Sequence, residues 1–284
     1  MTFRIVPVNE FDTATLTATP AAVTTLPATN LQSNVRDRLW RSTSLASQAL
    51  EFTWGGNVRR ISHFSLWPSA QASSLIGSSV RLQLYSDLAM SSSAYDQTWD
   101  FWTPTGPGWG DDPWGAFQWG AAYDDRTSRL APLSKWFTTV NASAGRVTIT
   151  NGGAVDTDYF EARRIVLGEY QEAPYNAGIG AAPQWRSNST QQRTIGGSLR
   201  RLSRARWREL RFETIFASDA DRAEWADIIY ACDPGNEVLV SIFPANASER
   251  LERDFTILGS LEALNPIVFE NYEFHRLQLA FLES

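Results

Sequence analysis

The clearest signal along the chain is a two-residue alternation of apolar and polar positions. LEFTW puts Leu50, Phe52 and Trp54 on one face, and VRLQLYSD does the same with Val80, Leu82 and Leu84. That period marks half-buried β-strands. RRISHFSLWP, LAPLSKWFTTV, GRVTITNGG and TDYFEARRIVLGEY read as further strands separated by turn residues. Ahead of them, Phe3 and Ile5 alternate over a short strand that Pro7 is expected to confine to a sheet edge. The Thr/Ala/Pro-rich run after Asp12 reads as extended arm or loop. Residues 1–168 thus read as an antiparallel β-sandwich.

The pattern then dissolves. Residues 169–197 are rich in Gly, Pro, Ala, Ser and Asn and read as a linker. Alternation resumes at Leu210, Phe212, Thr214 and Phe216, and the period then changes to that of a helix: Trp225, Ile228, Ile229 and Cys232 share one face. Ser218 stands at the N-cap position, Asp221 follows three residues on, and Asp233, Pro234 and Gly235 close the segment. A helix is predicted over 218–232. EVLVSIFP, RDFTILGS and HRLQLAFLE add strands, so residues 198–284 read as a smaller β-rich assembly domain with one helix.

One stretch obeys neither period. Residues 98–125, TWDFWTPTGPGWGDDPWGAFQWGAAYDD, hold Trp99, Trp102, Trp109, Trp114 and Trp119 among glycines and prolines. Gly and Pro break both helix and strand, so an inserted loop is expected. Its tryptophans either present an aromatic surface to a partner or fill the core at a sheet edge.

Charge narrows the partners. The net charge of −6 and pI near 5.1 give no general attraction to nucleic acid or to an anionic membrane. No apolar run is long enough to span a bilayer, and the N-terminus shows no basic region followed by an apolar one, so neither a membrane span nor a signal peptide is expected. Against that acidic background, Arg193, Arg200, Arg201, Arg204, Arg206, Arg208 and Arg211 share a short segment with one acid, Glu209. A local +6 leaves −12 for the rest of the chain. Such segregation suits head-to-tail assembly, with Arg200, Arg201, Arg204 and Arg208 as the expected interface. A solvated face and a nucleic-acid site are the competing readings, and Trp207 alone gives little of the aromatic interleaving of a single-strand groove. Lys135 is the only lysine in a chain rich in arginine, which fits interface use and equally a GC-rich codon bias.

Candidate chemistry is sparse. Cys232 is the only cysteine, which rules out an internal disulfide and a multi-cysteine metal site. His63 and His275 lie in strand patterns with no nucleophile beside them, so no catalytic triad is expected. Asp111, Asp112, Asp124 and Asp125 flank the tryptophans. Two carboxylates beside aromatic platforms are glycosidase-like, but Asp in a Gly/Pro-rich loop ordinarily serves turn chemistry. No cofactor is expected. Calcium is the cation the composition admits, through these aspartates or through Asp156 and Asp158, because it needs only oxygen ligands.

The runs NL…DRLWRS, LEFTW, ISHFSLW, VRLQLYSD and YFEARRIVLGE together resemble the galactose-binding-like, discoidin-type jelly roll, in the version found in tail proteins of long-tailed bacteriophages. The likeness spans about residues 28–168, and the loop at 98–125 departs from the simple module. The second half, RTIGG, then strand, helix, VLVSIFP and RDFTILGSLE, resembles distal-tail and tail-tip structural proteins. The resemblance implies a non-enzymatic component of a tail tip or baseplate. Its partners would be neighbouring tail proteins and copies of itself, and its location the virion, after assembly in the bacterial cytoplasm. The alternative it implies is a carbohydrate-binding module that reads host surface glycan through Trp109, Trp114 and Trp119.

Overall fold

The computed structural model describes residues 2–19, 23–69, 75, 77–101, 132–152, 157–178, 180–193, 195, 197–202, 204–216, 218–245, 249–263, 266–271 and 274–284. In chain order the strands begin with β1 (Arg4–Val6), β2 (Thr15–Thr19), β3 (Trp40–Arg41), β4 (Gln48–Thr53) and β5 (Arg59–Pro68). β6 (Ser78–Tyr85), β7 (Ser93–Asp100), β8 (Leu133–Ala142), β9 (Ala144–Asn151) and β10 (Glu161–Gly168) follow. Then come β11 (Gln171–Glu172), β12 (Ala182–Ser187), β13 (Thr190–Arg193), β14 (Leu199–Leu202) and β15 (Arg206–Phe216). Helix α1 (Asp219–Ala231), β16 (Val238–Ser241), helix α2 (Glu249–Asp254), β17 (Thr256–Leu261), β18 (Val268–Asn271) and β19 (Phe274–Glu283) complete the order. The chain divides into two units, residues 10–168 and residues 1–9 with 169–284.

The first unit is an antiparallel β-sandwich. One sheet runs β2-β4-β9-β6-β7 and the other β3-β10-β5-β8. The alternating positions of β4, β6 and β9 (Leu50, Phe52, Val80, Leu82, Val147, Ile149) are all buried. They meet Trp40, Ile61, Phe64, Leu66, Ile165 and Leu167 of the other sheet in one core. Two 3-10 turns, Glu10–Thr13 and Ala28–Gln32, contribute Phe11 and Leu31 to it. They are tied in by polar bonds that leave few buried groups unmatched. Buried Arg164 donates to both Asp12 carboxylate oxygens at 2.6 and 2.7 Å and to the Leu31 carbonyl at 3.2 Å. The Trp54 indole donates to the Glu10 carbonyl at 2.7 Å.

The second unit is an eight-stranded antiparallel sheet ordered β11-β1-β16-β17-β19-β15-β12, with β18 also paired to β19. Helix α1 packs on one face through Trp225, Ile228 and Ile229, which join Phe3, Phe212, Phe216 and Phe281 in a separate core. The predicted cap forms: Ser218 Oγ accepts the Asp221 N–H at 3.0 Å.

The mainly β architecture agrees with the alternation in the sequence, and the differences are local. β1 does not lie with the sandwich that follows it. It sits between β11 and β16 of the other unit, because Pro7 falls just outside the strand and Phe3 and Ile5 fill that unit's core. The expected arm after Asp12 is in part strand β2, which edges the five-stranded sheet with its threonines outward. Within the expected linker, Ala182–Ser187 and Thr190–Arg193 are strands, as are Leu199–Leu202 just beyond it. A second, short helix, α2, joins the expected one. Finally, Thr98, Trp99 and Asp100 are the end of β7 rather than loop, since their backbone pairs with β6 in register Arg81↔Thr98, Val80↔Trp99 and Ser79↔Asp100. Residues 102–131, which hold the remainder of the expected loop, lie outside the described residues.

Candidate functional site

Two surfaces draw together the residues that the sequence singles out. The first is the seam between the sheets of the sandwich. β7 and β8 are the terminal strands of their sheets, and the Trp-rich segment connects them. Their inward faces carry a run of half-buried aromatics. Trp99 stacks on Phe64 with ring centroids 5.9 Å apart and planes at 18°. Tyr95 stacks on Phe137 at 4.2 Å and 22°, and lies 6.3 Å from Trp99. Burial pushes the Tyr95 phenol up from its ordinary pKa. Offset stacking of this kind adds to simple area burial and closes the open side of the sandwich core. The adjoining Phe101 is buried and donates its backbone N–H to the Ser78 carbonyl at 2.7 Å. Trp99 is therefore partly a core residue. Trp102, Trp109, Trp114 and Trp119 lie outside the described residues, as do Asp111, Asp112, Asp124, Asp125 and Asp156. Asp158 is exposed in a bend, and among the described residues no three His, Cys, Asp or Glu side chains gather in a metal-binding arrangement.

The second surface is a two-stranded ribbon. β12 pairs with β15 from Ala182↔Arg211 to Ser187↔Arg206, and the same two stretches of chain continue as β13 and β14, from Thr190↔Leu202 to Arg193↔Leu199. The break between the two pairings is bridged by the Arg204 N–H, which donates to Ser189 Oγ at 2.9 Å. At the tip, Gly197 has φ +80°, a left-handed conformation suited to a hairpin turn. Every described residue from 184 to 206 is exposed. Exposed apolar side chains stand on it: Trp185 at 66% exposure, Leu202 at 53%, Leu199, and the fully exposed Ile195.

The four arginines expected at an interface separate here. Arg200 and Arg201 lie on β14 and Arg204 just after it, all exposed. Arg208 belongs to the sheet. Its Nε and Nη2 donate to Glu283 Oε1 at 3.1 and 2.8 Å, its backbone N–H donates to Glu283 Oε2 at 2.9 Å, and its Nη1 donates to the Arg253 carbonyl at 3.1 Å. Sequence reasoning passed over Trp185, Ile195, Leu199 and Leu202. The usable signal was the Gly196-Gly197 pair between two polar runs of similar length, a hairpin cue.

The remaining reactive groups have structural surroundings. His275 is buried and its Nε2 lies 3.1 Å from Asp219 Oδ1 at the start of α1. His63 is buried and packs on Trp136 with centroids 4.0 Å apart. Burial pushes the Cys232 thiol up to about 12, so it stays protonated at neutral pH and is a poor nucleophile. A depression of about 490 Å³ on the second unit is lined by Arg211, Glu213, Glu262 and Gln278 beside Gly178 and Gly180. Its charges already pair with one another or with neighbours, Arg211 with Glu262 and Glu213 with Arg276.

No protein-family model matches the chain, and no curated protein matches it. Solved structures give partial likenesses. A CBM32 module from Clostridium perfringens, in complex with GalNAc-β-1,3-galactose, is 12% identical, covers 57% of this chain and 100% of its own, and has a TM-score of 0.40. The family 32 module of NanJ from C. perfringens, in complex with galactose, is 11% identical over 60% of this chain and 99% of its own, at a TM-score of 0.39. A fucose-binding module from Streptococcus pneumoniae is 8% identical over 58% and 99%, also at 0.39. The sugars named belong to those proteins.

Proposed function

We propose that this chain is a non-enzymatic binding protein that works as a structural component, through contact with other proteins. The observation that carries this reading is the exposed ribbon, which combines tryptophan, aliphatic side chains and arginine. These are the residue types that anchor protein interfaces, and a ribbon with no core of its own gains little stability from exposing them. The setting is supported by the sequence resemblance: the tail tip or baseplate of a long-tailed bacteriophage, with the virion as its location. Particles assembled with Arg200, Arg201 and Arg204 all changed to Glu should lack the chain, while the free variant keeps its melting temperature. Normal incorporation of that variant overturns the reading.

A second reading is favoured by the seam. The Trp-rich segment departs from a stacked aromatic edge of a sandwich, and aromatic platforms are a usual means of binding sugar rings. In this reading Trp109, Trp114 and Trp119 recognise host surface glycan. Changing all three to Ala should then abolish binding on a glycan array and leave assembly intact. Glycan binding that survives the triple change, or that the unaltered chain never shows, removes this reading.

A further inference from the structure

Many arginines elsewhere in the structure are paired with carboxylates, among them Arg4 with Glu172, Arg41 with Glu161, Arg81 with Asp96, Arg146 with Glu51 and Arg164 with Asp12. The ribbon breaks that pattern. Residues 182–206 hold six arginines and no acid. Among the described residues only Arg186, at the foot of the ribbon, has a carboxylate partner, Glu209. Among the described residues Arg193, Arg200, Arg201, Arg204 and Arg206 make no ion pair. Guanidinium groups are well suited to bidentate bonding with carboxylates, so five of them left open on one element point to acids supplied from outside it.

The register shows how such acids would approach. Directly opposed residues of an antiparallel pair lie on the same face. Arg193 and Leu199 are opposed, as are Gln191 and Arg201, so one face carries Arg193, Arg201 and Leu199. Gln192 is opposed to Arg200 and Thr190 to Leu202, so the other face carries Arg200 and Leu202. Both faces thus offer cation and aliphatic surface together. A ribbon that lies flat on a partner needs this composition on one face only.

We propose that the ribbon inserts between acidic walls of a second copy of this chain, with both of its faces covered. The occupant follows from charge. The ribbon is +6 and the chain is −6, so the remainder of each copy carries −12 and is opposite to the ribbon in net charge. Since ribbon and acidic surface are different parts of the chain, the contact either closes reciprocally in a two-fold pair or runs head-to-tail from copy to copy. This rests on the assembly reading above and narrows it to self-association.

The test is sedimentation velocity of the full chain across concentration and salt. Self-association is expected at low salt and should fall away at roughly 1 M, where the screening length is only about 3 Å. R201E on one face and R200E on the other should each weaken association by about tenfold or more, while R200K/R201K keeps most of it. Melting temperature identifies any variant that fails to fold, and the Lys pair retains the charge test in that event. If only one face matters, insertion is wrong. A chain that stays monomeric at every concentration overturns self-association but leaves the assembly reading standing, because incorporation into particles measures contact with any neighbour. Tight binding of a labelled single-stranded oligonucleotide by a chain that stays monomeric assigns the ribbon to nucleic acid and overturns the proposal.

Discussion

At the scale of single residues, the few acids and arginines that are buried lie beside a charged partner: Arg164 with Asp12, Glu161 with Arg41, and Glu209 with Arg186 and Arg211. Glu209 is 2% exposed, and its carboxylate accepts hydrogen bonds from Arg186 and Arg211. The Arg186 bond first, and then that of Arg211, hold the Glu209 carboxyl below the usual carboxylate range. The folded state therefore binds the proton less readily than the unfolded chain. The stabilisation this gives is fully present above the ordinary carboxylate value of about 4.3 and is lost as pH falls below it toward the folded value. Glu209→Gln should lower the urea midpoint of the second unit at pH 7, and the gap from the unaltered chain should narrow progressively as pH falls below about 4.3. A gap that is independent of pH would show that the ion pairs contribute nothing. Such residues were illegible in the sequence for a plain reason. The partners of Arg164 and Glu161 are Asp12 and Arg41, more than a hundred positions away, and no local pattern marks a distant ion pair. Leu50, Phe52, Val80 and Leu82 were legible because burial alone decides their side of the sheet.

At the scale of elements, the readable ones have one wet and one dry face. Helix α1 shows this well: its apolar stripe, cap and stop signal all agree with the structure. The Ser218 hydroxyl satisfies one of the N–H groups left open at the helix start. Ser218→Ala should cost about 1 kcal/mol in urea unfolding, and Ser218→Asp should restore most of it. Full stability in the Ala variant would mean that water replaces the cap without loss. The ribbon was unreadable by the same logic. With both faces wet, β13 and β14 have no apolar side to alternate against, and their composition matches a linker. β7 was hidden differently. Only Tyr95 and Trp99 point inward along it, four residues apart, and the Gly/Pro-rich stretch that follows masks where the strand ends.

At the scale of the whole chain, the organisation is an insertion rather than two beads in series. β1 and β11 are antiparallel neighbours, with Arg4 opposite Glu172 and Ile5 opposite Gln171. The chain thus leaves the second unit after β1 and returns to it at β11, and the sandwich of residues 10–168 occupies the interval. Neighbouring termini of this kind are what allow one domain to be inserted into another. Sequence reading assigned β1 to the sandwich because adjacency in the chain was its only guide, and the strand's true partners lie about 165 or more positions away. The consequence is asymmetric. Residues 10–168 contain both sheets of the sandwich and its core, so that fragment should unfold in a single cooperative transition by itself. Residues 169–284 lack Phe3 and Ile5, both fully buried, and Phe3 packs on Phe212 at 4.9 Å and on Trp225 at 5.1 Å. Losing two such side chains removes about 1.5–3 kcal/mol each, and the exposed edges of β11 and β16 add to the deficit. Since a domain's entire stability is only about 5–15 kcal/mol, the 169–284 fragment should be largely unfolded or aggregated, and Phe3→Ala in the full chain should lower the melting of the second unit alone. Differential scanning calorimetry of the two fragments and of that variant decides it. A 169–284 fragment as stable as the same residues in the full chain would show that β1 is an accessory to the second sheet and not part of its core.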